Sequence, residues 1–156
     1  MPHDASKPIR AIVSLVTSKS FIIGAEVLAH SLRRLQVKVE LILLVTENVA
    51  ELCSNGCGFD RVVTVDSIPN PNSSHVNTWV SCGFTKLRIW QLDVLLGINQ
   101  VLYIDADCAV LEDVGSLFTL LDCVDFAAAP DFFPPDRFNA GVLLIKVRQF
   151  RLFLKL

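Results

Sequence analysis

An apolar run that ends in Tyr103-Ile104-Asp105-Ala106-Asp107 places two carboxylates two residues apart where a strand would run out. In an extended chain alternate side chains share one side, so Asp105 and Asp107 are expected to converge on a single ion. Hard oxygen ligands of this kind suit Mn2+ or Mg2+, which are held by one or two carboxylates while phosphates and water complete the shell. The carboxyl end of a strand is also where open α/β sheets bind their ligands. An isolated D-x-D is more often a turn cap beside a solvated carboxylate. Here a strand delivers it, and no rival nucleotide motif competes. The loop Ser18-Lys19-Ser20-Phe21 has no G-x-G-x-x-G, and G-K-[ST] is absent from the chain, which argues against dinucleotide and P-loop chemistry.

The elements that must position these residues follow from periodicity. Residues 11–17, AIVSLVT, are short, apolar and β-branched. Residues 21–35 then change to helical spacing, with Ile22, Ala25, Leu28, Ala29 and Leu32 on one side. The alternation predicts a strand over 40–45, a helix over 48–53 and a strand over 61–65. Being apolar on both faces, these first three strands are expected to be parallel and internal. Residues 66–78, rich in Pro, Asn and Ser, read as a surface loop. A helix is predicted over 84–96, strands over 101–104, 126–129 and 141–145, and a short turn near 116–121. The sum is one three-layer α/β/α Rossmann-like domain with a mostly parallel sheet, preceded by a flexible tail over residues 1–10. Residues 148–156, RQFRLFLKL, begin an amphipathic helix that stops after about two turns with no stop signal, so the domain is expected to be C-terminally truncated.

Composition narrows the partners. A chain of 156 residues with 52% hydrophobic content supports one domain. Its formal charge of −2, with basic residues scattered, gives no reason to bind nucleic acid. No run approaches the roughly 18 apolar residues of a transmembrane helix, and no signal-peptide pattern opens the chain, so a cytoplasmic protein is the default expectation. The Asn72-Ser73-Ser74 sequon keeps the Golgi lumen open if an anchor lies elsewhere. Cys53, Cys57, Cys82, Cys108 and Cys123 are odd in number and lie in or beside apolar segments, which suits reduced, partly buried thiols. Cys53 and Cys57 lack the second ligand pair of a zinc site.

Five short motifs occur in order: Leu15-Val16-Thr17 with Gly24-Ala25, Phe84-Thr85-Lys86-Leu87, Tyr103-Ile104-Asp105-Ala106-Asp107, Ala129-Pro130-Asp131, and Phe138-Asn139-Ala140-Gly141. In order and approximate spacing they resemble the glycogenin-like retaining glycosyltransferases of GT-A type. That resemblance implies a UDP-sugar donor, Mn2+ dependence and transfer of a hexose with retention to a glycan, protein or small-molecule acceptor. It places Leu15, Thr17, Ser18 and Phe21 around uridine, with Phe21 where the family often has Tyr. It sets Lys86 against the diphosphate or sugar, Asp105, Ala106 and Asp107 at the metal and donor, and Asn139 and Ala140 at the donor sugar. It does not assign a catalytic residue. Asp131 reads as a loop carboxylate.

The chain departs from the family pattern at Asn77, where an Arg near the nucleotide is usual, and in lacking a later D-Q pair and a metal-ligating His. His3, His30 and His75 are too far upstream to replace that ligand. Self-glucosylation is not supported, because the only tyrosine, Tyr103, lies inside the strand that enters the site. The competing expectation is an inactive nucleotide-sugar-binding or partner-binding remnant that self-associates through the apolar segment 150–156. A mean hydropathy of +0.49 accords with missing covering segments.

Overall fold

A computed structural model of the chain describes residues 7–71, 83–132 and 137–147. Its strands are β1 (Arg10–Val16), β2 (Glu40–Val45), β3 (Arg61–Thr64), β4 (Gln100–Ile104), β5 (Phe126–Pro130) and β6 (Phe138–Lys146). They form one sheet in the order β3-β2-β1-β4-β6-β5. The pairings of β1 with β2, β2 with β3 and β1 with β4 are parallel, whereas β6 runs antiparallel to both β4 and β5. The α/β sheet is therefore mixed, with its parallel part where the βα alternation was legible.

Each strand face has its own cover. Ile12, Val16, Leu41, Leu43, Leu102 and Ile104 pack under α1 (Ile22–Arg34), whose Ala25, Leu28, Ala29 and Leu32 are fully buried. Phe118 and Leu121, from a 3-10 helix over Gly115–Asp122, complete that layer. On the opposite face Ala11, Val13, Leu15, Leu44, Tyr103 and Ile145 pack under Ile89, Leu92 and Ile98. A three-layer arrangement follows from this alternation of buried neighbours along β1, β2 and β4.

Four expectations need correction. β3 is an edge strand with exposed ends, not an internal one; its apolar pattern is only Val62-Val63, and both are half-buried. The helix expected over 84–96 is a 3-10 helix over Gly83–Gln91 followed by a short α-helix over Leu92–Leu96. Runs of 3-10 geometry this long are uncommon. Tertiary contacts pin this one: the buried Thr85 hydroxyl accepts the Ile68 N–H at 3.1 Å, and Arg88 Nε donates to the Asp66 carbonyl at 3.0 Å. The tail expected over 1–10 gives way at Ile9, whose carbonyl accepts the Asn99 and Gln100 N–H groups, and Arg10 is already in β1. β6 begins at Phe138, not near 141. The expected helix over 148–156 and the loop from 72 to 78 lie outside the described residues, as do His3, His75, Asn77 and Cys82. No helix among the described residues is long and apolar enough to cross a membrane. Cys53 and Cys57 are buried free thiols as expected, but Cys123 is exposed.

The start of β3 is tied down by a charge. Asp60 accepts the Leu41 N–H at 2.8 Å through Oδ2 and pairs with Arg33 through Oδ1. Burial opposes its ionisation, yet the Leu41 amide and Arg33 together hold its carboxyl below the usual value of 3.8. A depressed folded-state pKa adds stability above the unfolded value, and that stability is lost as pH falls through the folded one. The wild type is therefore expected to outlast Asp60→Asn in thermal melts at pH 6, with the gap closing as pH drops below about 4. A gap that stays constant down to pH 3 would show that the carboxylate is not what holds this corner.

Candidate active site at the carboxyl edge of the sheet

β1 and β4 are adjacent and parallel, with Val13 beside Tyr103. Their carboxyl ends therefore open on the same edge, and the segments that follow them meet there. After β1 the chain passes through Thr17 and Ser18 into a 3-10 turn over Lys19–Phe21 and then into α1. After β4 it turns at once: the Cys108 N–H donates to the Asp105 carbonyl at 3.1 Å. Asp105 and Asp107 thus sit on a turn, and the strand alternation expected to align them stops at Ile104. Gly24, in the first turn of α1, lies directly against this turn. A Cβ there would stand 2.5 Å from the Ala106 carbonyl oxygen and 3.6 Å from Asp107 Cα.

Asp105 is the centre of the site. Lys86 Nζ straddles its carboxylate, 2.7 Å from Oδ1 and 2.8 Å from Oδ2. Tyr103 donates its hydroxyl to Oδ1 at 2.6 Å. The Asp105 N–H donates to the Gly141 carbonyl at 2.8 Å, and Lys86 also donates to the Ala140 carbonyl at 3.2 Å. Lys86 Nζ stands 5.3 Å from the centre of the Tyr103 ring, within cation–π range. Burial, then the Asp105 charge, pushes the Tyr103 hydroxyl well above its ordinary value, so it remains a neutral donor. Burial also raises the Cys108 thiol, followed by Asp107 and Asp105.

An irregularity in β6 supplies the third wall. Ala128 pairs with Leu143 but Ala129 pairs with Asn139, so one step along β5 corresponds to four along β6 (143 − 139). The extra residues carry the Ala140 and Gly141 carbonyls to Lys86 and Asp105. Asn139 closes the kink by accepting the Gly141 N–H through Oδ1 at 2.7 Å. A Cβ on Gly141 would lie 3.2 Å from Asp105 Oδ2, so glycine keeps the space before that oxygen open. Asp131, nearby in sequence, accepts the N–H of Phe132, a local loop role as expected.

The structure brings Lys86, Asp105, Asn139 and Ala140 together, and sets Ala106 and Asp107 beside them on the turn. Leu15, Thr17, Ser18 and Phe21 share the edge. Leu15 and Ala106 have core side chains, 9% and 4% exposed, so each can offer a ligand little beyond its backbone. The Thr17 carbonyl already accepts Asn48 Nδ2 at 3.1 Å, and Ser18 Oγ lies 2.8 Å from Ser20 Oγ. Phe21 is 40% exposed, an aromatic face with room for a partner. Asp107 is exposed, and the Cys108 thiol donates weakly to its Oδ1 at 4.0 Å. The donor set suits a hard divalent cation: the Asp107 carboxylate is exposed, and Asp105 has a side that a Cβ at Gly141 would fill. Among the described residues no cluster of three or more His, Cys, Asp or Glu adds to it, leaving phosphate and water to complete a shell.

Sequence reasoning missed Tyr103 as a partner of Asp105 and Gly24 as a contact of the turn. The signal for the first was a phenol two residues before the carboxylate, where the apolar run ends.

No family model matches the chain. It is 34% identical over 143 residues to human Glycogenin-2, covering 88% of this chain and 27% of that protein. To Glycogenin-1 of Oryctolagus cuniculus it is 31% identical over 141 residues, covering 86% of this chain and 40% of the relative. The chain thus spans well under half the length of these curated relatives. Its fold matches a galactosyltransferase solved with donor and acceptor sugar analogues, with a TM-score of 0.64 at 20% identity over 91% of this chain and 59% of that one. On sequence and fold together, the chain is a glycogenin-like glycosyltransferase homologue of GT-A type.

Proposed function

We propose that this chain carries the donor site of a UDP-sugar-dependent hexosyltransferase, with Asp105 and Asp107 holding Mn2+ or Mg2+. The observation that carries the reading is the convergence of a cation and two carboxylates on one open edge: Lys86 against Asp105, with Asp107 exposed beside them. A bound divalent ion would supply charge neutralisation for the leaving nucleoside diphosphate. Lys86 adds a point charge that an anionic diphosphate can attract away from Asp105. Phe21 offers a face on which a base can stack, and the Asn139 side-chain amide, whose oxygen is taken by Gly141, has N–H groups to donate to a sugar hydroxyl. The donor is a nucleotide sugar and the acceptor a glycan, protein or small molecule.

Calorimetric titration of UDP into the chain, with and without Mn2+, tests the site. Binding is expected to require the metal and to vanish in an Asp105→Ala, Asp107→Ala variant. Absence of binding by the wild type under both conditions would sink the proposal.

A further inference from the structure

We infer that Tyr103 is a positioning residue for Asp105, holding its carboxylate in the orientation in which it faces both Lys86 and a cation; the inference rests on the donor-site reading above. Tyr103 is 1% exposed, and its ring belongs to the core layer that contains Leu15, Ile89 and Leu143. For packing alone a phenylalanine would fill this place. The hydroxyl adds one contact, the 2.6 Å bond to Asp105 Oδ1. A bond this short between a hydroxyl and a carboxylate is of the charge-assisted class, about twice as strong as a neutral one.

The geometry explains why a residue inside the strand can do this. Tyr103 is the last but one residue of β4 and Asp105 the first beyond it, and the turn that begins there sets the Asp105 carboxylate against the phenol. The ring, clamped by the core, cannot follow a moving carboxylate. It also lies beneath Lys86, 5.3 Å from Nζ. One rigid side chain therefore bears on both charges of the site. With Oδ1 tied to the phenol, Oδ2 is the oxygen that faces the clearing left by Gly141. Partners that orient a metal-binding carboxylate in this way typically change metal affinity by 10–100-fold when removed.

The test uses Tyr103→Phe, which keeps the ring in the core. Mn2+ affinity, read from the electron paramagnetic resonance of free Mn2+ at saturating UDP, is expected to fall about tenfold. Added to Asp105→Ala, the same change is expected to have no further effect on affinity. In metal-free protein the shifts in Tm of Tyr103→Phe, Asp105→Ala and the double variant are expected to be non-additive, because each substitution removes one end of the same hydrogen bond. Unchanged Mn2+ affinity in Tyr103→Phe overturns the inference while leaving the donor site standing. Additive shifts overturn it whatever the metal does. A wild type that binds no Mn2+ with UDP overturns the donor-site reading, and this inference with it.

Discussion

Replacing Gly24 by alanine is expected to lower the melting temperature of the metal-free chain by about 4–12 °C and to weaken metal-dependent UDP binding at the same time. The added Cβ would stand 2.5 Å from the Ala106 carbonyl oxygen and 3.3 Å from its carbon. Both are backbone atoms, so no side chain can swing away to make room. Either α1 backs off the sheet or the turn from Asp105 to Cys108 shifts outward. The first strips cover from Ala25, Leu28 and the strands beneath them; the second moves both carboxylates. Overpacking of this kind costs roughly 1–3 kcal/mol, more when the obstacle is main chain, and about 2–3 kcal/mol corresponds to that shift in a domain of this size. Gly83→Ala is the matched control, because among the described residues nothing lies within 4 Å of a Cβ there. If both variants melt alike, the close approach of α1 to the turn is not a constraint on the fold.

The contrast between these two glycines shows what periodicity can and cannot carry. The strands near 11–17, 40–45 and 101–104 were legible because each is a short apolar run buried on both faces, and α1 because its apolar residues recur at helical spacing. The same logic over-reached at β3, where two valines look internal but, among the described residues, only β2 pairs with them. It also missed the 3-10 geometry over Gly83–Gln91, which is imposed by contacts from Thr85 and Arg88 to the segment after β3. Those bonds join residues 17 and 22 apart in sequence, beyond any local window.

The site divides along the same line. Asp105 and Asp107 stand out because their spacing and their place after a strand are local. Lys86 is 19 residues from Asp105, and nothing but the family resemblance joined them. The kink that carries the Ala140 and Gly141 carbonyls into the site is a register shift against β5, a property of two strands together. The sequence expectation also put Lys86 against the donor, whereas in the structure it neutralises Asp105. Those two roles belong to different states, and substitution separates them.

Lys86→Met is expected to move two affinities in opposite directions. Without nucleotide, the Lys86 ammonium occupies both Asp105 oxygens at 2.7 and 2.8 Å, the same atoms that a divalent ion needs. Removing it relieves that competition, so Mn2+ alone is expected to bind the variant more tightly than it binds the wild type. With UDP present the sign reverses. The diphosphate loses a cation partner, and a charge-assisted hydrogen bond is worth about 1.5–3 kcal/mol, which is at least about tenfold in UDP affinity at saturating Mn2+. Tyr103 still supports Asp105 in the variant, so the carboxylate keeps one partner. Lys86→Arg is expected to restore little, because a planar guanidinium cannot replace a compact ammonium seated between a carboxylate and the Ala140 carbonyl. Paired titrations of Mn2+ alone, and of UDP at saturating Mn2+, read both effects. A fall in both affinities would mean that Lys86 organises Asp105 for the metal, whereas no change in UDP affinity would remove Lys86 from the donor site altogether.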